Sequence, residues 1–167
     1  MPKHLYLLRH GTSAEKQNGQ TDKDRYLTPQ GTRETLLIGQ YLLKQKLTPG
    51  LVISSTAERA RMTAGLIADA MRIDPDQVIL DEELFQASTR TFLELVNQLD
   101  DTHTHVMCIG HNPTISYLAE YVTKAEIGDM VPGGLAMIRF NCNSWKDAGP
   151  DKGELINYIY PQMLIND

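Results

Sequence analysis

The sequence contains few cysteines and no sign of a disulfide framework. Its two cysteines, Cys108 and Cys142, each lie inside an apolar stretch, which is typical of reduced thiols packed in a protein core. A chain of 167 residues buries most of its unfolded surface in one core and needs no disulfide staples. We therefore expect a single domain over residues 1–167 in a cytoplasmic, reducing compartment.

Long hydrophobic runs and an excess of basic charge are also absent. No stretch approaches the roughly 20 apolar residues of a membrane span, and the first apolar run is too short for a signal peptide. A formal net charge of −5 disfavours a nucleic-acid-binding surface. The sequence has no Walker phosphate loop, dinucleotide-binding glycine pattern or GxSxG elbow, which excludes ATP-dependent and serine-hydrolase chemistry.

Short apolar runs alternate with amphipathic segments along the chain. The predicted strands are 4–8, 51–54, 77–80 and 105–110. The predicted helices are 29–46, 57–72, 90–99 and 113–122. Segments 135–141 and 154–160 predict a terminal hairpin. Together they predict an α/β fold with three layers, in which a mostly parallel central sheet is flanked by helices.

Polar residues follow three of the predicted strands. They are Arg9, His10 and Gly11 after the first strand, Arg59 after the second, and His111 and Asn112 after the fourth. Because parallel strands carry their functional groups at one edge of the sheet, we expect these side chains to converge. A single polar residue at a strand end is usually a boundary or surface residue. The convergence of such residues from three segments favours a functional site.

Two arginines and two histidines at one sheet edge predict a phosphate site. The guanidinium groups of Arg9 and Arg59 match phosphate oxygens, and nearby helix N-termini add positive potential. His10, kept neutral beside these arginines, is a competent nucleophile at phosphorus. His111 and the arginines would stabilise the charge on the phosphoryl oxygens. This chemistry requires no metal and no cofactor.

Three segments in this order resemble the signatures of the histidine phosphatase superfamily, which has the phosphoglycerate mutase-like fold. They are LLRHGTSA, STAERARMTA and IGHNP, and RYLTPQGTRE resembles the start of the family's first helix. The resemblance covers about residues 4–140. The short length and the phrases ELFQAS and IGHNPTISYLAEYV look most like the small SixA-type phosphohistidine phosphatases.

The resemblance implies a role for each matched residue. It implies His10 as the nucleophile that becomes phosphorylated, and Arg9, Arg59 and His111 as phosphate ligands. Arg25 lies where the small members carry a basic residue before the first helix, so we include it among the substrate-binding candidates. Gly11 and Asn112, beside the two histidines, complete that set.

Many members of the superfamily carry a glutamate after the third strand that protonates an alcohol leaving group. Our alignment places Gln86 near that position, and an amide cannot donate a proton in this way. Glu82 and Glu83 lie close by as acid candidates or as exposed loop charges. The absence of an acid favours phosphohistidine over a phosphomonoester as the substrate. Imidazole has a pKa of roughly 6.5 and is a better leaving group than an alkoxide.

We therefore predict a phosphatase that acts on phosphohistidine of a signalling protein. Two other activities remain open: a small-molecule phosphomonoester phosphatase of the same family, and a non-catalytic phosphate- or phosphohistidine-binding module. His103 and His105 form an HxH pair that, with His111, defines a further alternative, a metal hydrolase.

Two loops each allow two interpretations. The polar segment 13–26 is either a lid or a plain surface connection. The glycine-rich segment 133–135 reads as a turn into the following strand or as a border of the pocket. The oligomeric state stays open.

Overall fold

The structure, a computed structural model, describes residues 1–165. Its six strands are β1 (Lys3–Arg9), β2 (Leu51–Ser54), β3 (Val78–Leu80), β4 (His105–Gly110), β5 (Leu135–Phe140) and β6 (Gly153–Ile159). Its α-helices are α1 (Pro29–Lys44), α2 (Glu58–Met71), α3 (Thr89–Asn97) and α4 (Thr114–Thr123). Within residues 1–165, no helix combines the length and the apolar character needed to cross a membrane.

All six strands belong to one sheet, in the order β3-β2-β4-β1-β5-β6. The first four strands in this order run parallel to one another. β5 pairs antiparallel with β1, and β6 pairs antiparallel with β5. The predicted mostly parallel sheet and the terminal hairpin are therefore confirmed.

The helices cover both faces of this sheet and produce two apolar cores. Successive β1 residues point to opposite faces: Leu5 and Leu7 pack in the core that includes α3 and α4, and Tyr6 and Leu8 in the core that includes α1 and α2. Both faces of a mostly parallel sheet must be covered, which explains why its central strands are continuously apolar. The three-layer prediction is confirmed.

A hydroxyl side chain caps the first turn of two of the four helices, α1 and α3. The Thr28 hydroxyl accepts from the Gly31 N–H at 3.0 Å, and the Ser88 hydroxyl accepts from the Thr91 N–H at 3.1 Å. The predicted bounds differ from the observed ones by a few residues; α1, for example, ends at Lys44 instead of at residue 46. Element ends are set by tertiary contacts that a local pattern does not contain.

Candidate active site

Adjacent parallel strands deliver the predicted site residues to one edge of the sheet. Arg9 ends β1 and Gly110 ends β4, and the two are register partners. The rings of the residues that follow them, His10 and His111, therefore lie 5.0 Å apart between centroids. Arg59 joins them from the first turn of α2, close enough to act electrostatically on both rings. The predicted convergence of these four side chains is what the structure shows.

His10 is held with one ring nitrogen committed and the other free to react. Its Nδ1 lies 2.7 Å from the carbonyl oxygen of Gly11, which only accepts hydrogen bonds, so Nδ1 carries the proton and Nε2 the lone pair. Burial, followed by the positive charges of neighbouring side chains, lowers the pKa of His10 from 6.5 to about 3. At neutral pH the ring is therefore uncharged and has a lone pair on Nε2, which is what a nucleophile requires.

In His111 the two ring nitrogens have the reverse roles: Nε2 is bound to the protein and Nδ1 is left for a ligand. Its Nε2 lies 2.7 Å from the Ser55 hydroxyl, which itself accepts from the Ala57 N–H at 3.2 Å. The rings of Phe85 and His111 pack edge to face, with 5.8 Å between their centroids. Burial, and then the charge of Arg59, lowers the pKa of His111 from 6.5 to about 4. A serine proton donated to Nε2 leaves the imidazole proton on Nδ1, where it can bind an acceptor.

The two arginines are partly tied to the protein. Arg9 donates from Nη1 to the Met130 carbonyl at 2.6 Å. Arg59, which is 7% exposed, donates from Nη1 to the Asp22 carbonyl at 2.7 Å and from Nη2 to the Asp22 carboxylate at 3.1 Å. These bonds fix the orientation of each guanidinium group beside the histidine rings.

Two buried polar atoms in this cluster have no hydrogen-bond partner within residues 1–165. They are Nε of Arg9 and Nδ1 of His111. A buried donor without a partner costs roughly 1–3 kcal/mol, so two such atoms in one place indicate a ligand. A phosphate group, whose oxygens accept hydrogen bonds from both, fits this donor set.

The structure distinguishes the two candidates for the general acid, Glu82 and Glu83, and it places Gln86 beside the site. Two donors, Lys23 Nζ and the Thr56 hydroxyl, bind the Glu82 carboxylate at 2.6 and 2.5 Å, and the Lys23 bond is the main reason that its pKa is lowered. Glu82 therefore stays ionised and is a poor proton donor. Glu83 is exposed, whereas Gln86 lines a cavity of about 90 Å³ together with His111.

The polar loop 13–26 is fastened across this edge of the sheet. Asp22 binds Arg59, and the adjacent Lys23 binds Glu82 and lies 5.4 Å above the ring of Phe85. The Arg25 guanidinium group binds other residues of the loop: it donates to the Ala14 carbonyl at 2.9 Å and to the Asp22 carboxylate at 2.9 Å. Arg25 thus shapes the loop, and the loop borders the site.

The remaining candidates have backbone or supporting roles. Gly11 supplies the carbonyl that holds His10, and the Asn112 side chain accepts from the Ser116 hydroxyl. In the glycine-rich segment 133–135, the Gly133 N–H donates to the carbonyl of His10 at 3.1 Å. This segment therefore borders the site through its backbone.

The HxH pair lies at the other end of the sheet. His105 begins β4 and stacks on His4 with 4.3 Å between ring centroids, whereas His111 follows the last residue of the same strand. A six-residue strand separates the two ends by roughly 17 Å, so the three histidines cannot share a metal ion. Within residues 1–165, no three His, Cys, Asp or Glu side chains form a metal-binding group.

Sequence reasoning missed two carboxylates beside the site, Asp22 and Glu34. Asp22 carries no local signal, because its contact with Arg59 joins distant parts of the chain. Glu34 is 5% exposed and lies on the buried face of α1, three residues after Gly31 and four before Ile38. A charged residue within an apolar helical stripe is a signal that could have found it.

Acidification should lower the free energy of unfolding, because both site histidines stay neutral in the fold. An unfolded histidine has a pKa near 6.5, whereas the pKa of His10 is about 3 and that of His111 about 4. Below pH 6.5 the unfolded chain binds protons that the folded chain does not. Each histidine then removes about 1.4 kcal/mol of stability per pH unit, until its folded pKa is reached.

Urea unfolding at pH 7 and pH 5 measures this effect. In His111→Gln one of the two contributions is gone, so its stability should fall less on acidification than that of the wild type. An equal fall in both proteins would contradict a buried, neutral His111.

Comparison with known proteins places these observations in a family. Residues 5–88 match the family model of the histidine phosphatase superfamily, branch 1. An uncharacterized protein of Mycobacterium tuberculosis (strain H37Rv) is 31% identical over 93% of this chain and 100% of its own length. The mitochondrial serine/threonine-protein phosphatase Pgam5 of Drosophila ananassae is 31% identical over 94% of this chain and 62% of its own length.

A solved structure agrees with the sequence relatives. SixA from Agrobacterium tumefaciens, which is named as a phosphohistidine phosphatase, superposes with a TM-score of 0.82 at 27% identity and covers 96% of this chain and 99% of its own. The match spans all three layers of the fold. By its sequence and its SixA-like fold, the chain belongs to the histidine phosphatase superfamily.

Proposed function

We propose that this phosphatase transfers a phosphoryl group from phosphohistidine of a signalling protein to His10 and then to water. The observation that carries the proposal is the ring of His10: buried and neutral, with Nδ1 committed to the Gly11 carbonyl and Nε2 left to attack. Arg9, Arg59 and His111 surround it with donors suited to phosphoryl oxygens. The chemistry needs no metal ion.

The reaction has two balanced steps. In the first, the Nε2 lone pair of His10 forms a bond to phosphorus while the bond from phosphorus to the substrate nitrogen breaks. The substrate ring, protonated on its other nitrogen, takes the electron pair and leaves as neutral imidazole. In the second step, water attacks the phosphorus, the electron pair of the broken P–N bond returns to Nε2, and inorganic phosphate departs with both protons of the water, as dihydrogen phosphate.

The surroundings of the leaving group favour phosphohistidine over an ester. An alkoxide leaving group benefits from an acid by about 10²- to 10⁴-fold in rate. Lys23 and Thr56 hold Glu82 as a carboxylate, and Gln86 has no acidic proton to give. Imidazole, with a pKa of roughly 6.5, leaves without such help at neutral pH.

A second candidate is a phosphatase for phosphoserine and phosphothreonine of proteins. Its support is the 31% identity with Pgam5, which is named as a serine/threonine-protein phosphatase, over 94% of this chain. In this case a carboxyl group must act as the acid, and Glu83, which is exposed and adjacent to Glu82 in the sequence, is the remaining candidate. A related alternative, with small-molecule phosphomonoesters as substrates, requires the same acid.

The test is phosphate release from a histidine-phosphorylated phosphotransfer domain and from a phosphoserine peptide, both in the presence of EDTA. We expect fast release from the first substrate and release at least about 100-fold slower from the second, because the second reaction lacks its acid. Comparable release from phosphoserine would favour the second candidate. Phosphate binding without release from either substrate would indicate a binding module.

A further inference from the structure

We propose that Glu34 activates His10 through the peptide group that joins Gly11 to Thr12, a positioning role that rests on the covalent mechanism proposed above. The Thr12 N–H donates to Glu34 Oε1 at 2.8 Å. The carbonyl of the same peptide, that of Gly11, accepts from His10 Nδ1 at 2.7 Å. In a trans peptide the N–H and C=O point in opposite directions, so one peptide group bridges the carboxylate and the imidazole.

Glu34 is built into this position. It is 5% exposed, and its Oε2 accepts from the Thr12 hydroxyl at 2.9 Å and from Gln30 Nε2 at 3.2 Å. Within residues 1–165, no lysine or arginine lies within salt-bridge distance of it. The charge of Arg9 acts on Glu34 from beyond that distance, and the direct partners of the carboxylate are neutral donors, so its charge polarises the groups that it contacts.

The polarisation acts on the nucleophile during phosphoryl transfer. A carboxylate bound to an N–H strengthens that bond and makes the carbonyl of the same peptide a better acceptor. As Nε2 of His10 bonds to phosphorus, the ring gains positive charge, and Nδ1–H becomes a stronger donor. The Gly11 carbonyl then stabilises the ring more in the transition state than in the ground state, which raises the rate of transfer.

Two matched variants separate this role from simple anchoring of the loop. Glu34→Gln keeps the shape and one acceptor oxygen but removes the charge. Thr12→Val removes only the hydroxyl bond to Oε2 and keeps the Thr12 N–H bond to Oε1. We expect phosphorylation of His10 by phosphoramidate to slow about 10- to 100-fold in Glu34→Gln, as for other carboxylates that support a histidine. Thr12→Val should slow it by less than about fivefold.

A spectroscopic readout checks the mechanism directly. In Glu34→Gln the Nδ1 proton of His10 should resonate upfield of its wild-type position, because its carbonyl acceptor is weaker. The affinity for tungstate, a phosphate analogue, should not fall, since the phosphate ligands are untouched and a negative charge that acts on Arg9 has been removed. Equal slowing by the two variants, or an unchanged Nδ1 signal in Glu34→Gln, would overturn the proposal.

A further test uses only the wild-type protein, so it does not depend on whether a variant folds. Phosphorylation of His10 should move the Thr12 amide proton downfield, because the hydrogen bonds on the two sides of one peptide strengthen together. An unmoved amide signal in a phosphorylated protein would contradict the coupling. If the wild type takes no phosphate from phosphoramidate, the covalent mechanism fails, while the Nδ1 signal in Glu34→Gln still tests the link.

Discussion

Replacing His10 with glutamine should abolish phosphate release while leaving the fold intact. Glutamine fills the pocket with a polar side chain that cannot accept a phosphoryl group. Loss of a covalent nucleophile removes a complete reaction route, so we expect a fall of at least about 10⁴-fold in kcat with the phosphohistidine substrate. Tungstate should still bind, since Arg9, Arg59 and His111 remain.

The phosphorylated intermediate gives the sharper measurement. Brief incubation of the wild type with radiolabelled phosphohistidine substrate, followed by alkaline denaturation, should leave label on the protein that acid removes, because P–N bonds are acid-labile. His10→Gln should carry no label. The same substitution at His103, at the opposite end of the sheet, should label and turn over like the wild type. Label retained in His10→Gln would assign the nucleophile to another residue.

The sequence was sufficient to predict the edge of the sheet at which this chemistry lies. Short apolar runs alternating with helices specify parallel strands, and parallel strands bring Arg9, His10 and His111 to one edge whatever the details of packing. Only Arg59 depended on a helix start, which was predicted at residue 57 and lies at Glu58. These predictions use local patterns and a general rule of topology.

The supporting contacts could not be predicted in this way. Asp22 reaches Arg59 across 37 positions of sequence, and Glu34 reaches Thr12 across 22. The ion pair of Lys23 with Glu82 spans 59 positions, and it changes Glu82 from an acid candidate into a fixed carboxylate. Each contact depends on how a loop crosses the sheet edge, and no periodicity in the sequence records that path.

The second large effect concerns residues 11–13, which we name the nucleophile loop because they follow the proposed nucleophile His10, and their close contact with α1. We expect Gly31→Ala to lower both stability and activity, because a Cβ at position 31 would lie 2.2 Å from the carbonyl oxygen of Thr12. The obstacle is backbone and not a flexible side chain, so the loop itself must move. Overpacking of this kind costs about 1–3 kcal/mol, which lowers Tm by roughly 2–12 °C in a chain of this size.

The loss of activity should exceed the loss of stability, because the same Cβ would lie 2.9 Å from the Thr12 nitrogen, and this nitrogen belongs to the peptide group whose carbonyl, that of Gly11, holds His10. A misplacement of about 1 Å at a reacting group can cost roughly 100-fold in rate.

Gly65→Ala is the matched control: position 65 is exposed within α2, and its Cβ would meet nothing within 4 Å. Alanine is the better helix former there and should raise stability by about 0.5–1 kcal/mol with activity unchanged. If both variants were stabilised and kept their activity, the helix propensity of alanine alone would explain both results. Opposite signs would show that α1 and the nucleophile loop are packed backbone to backbone, and that the position of His10 depends on the glycine at 31.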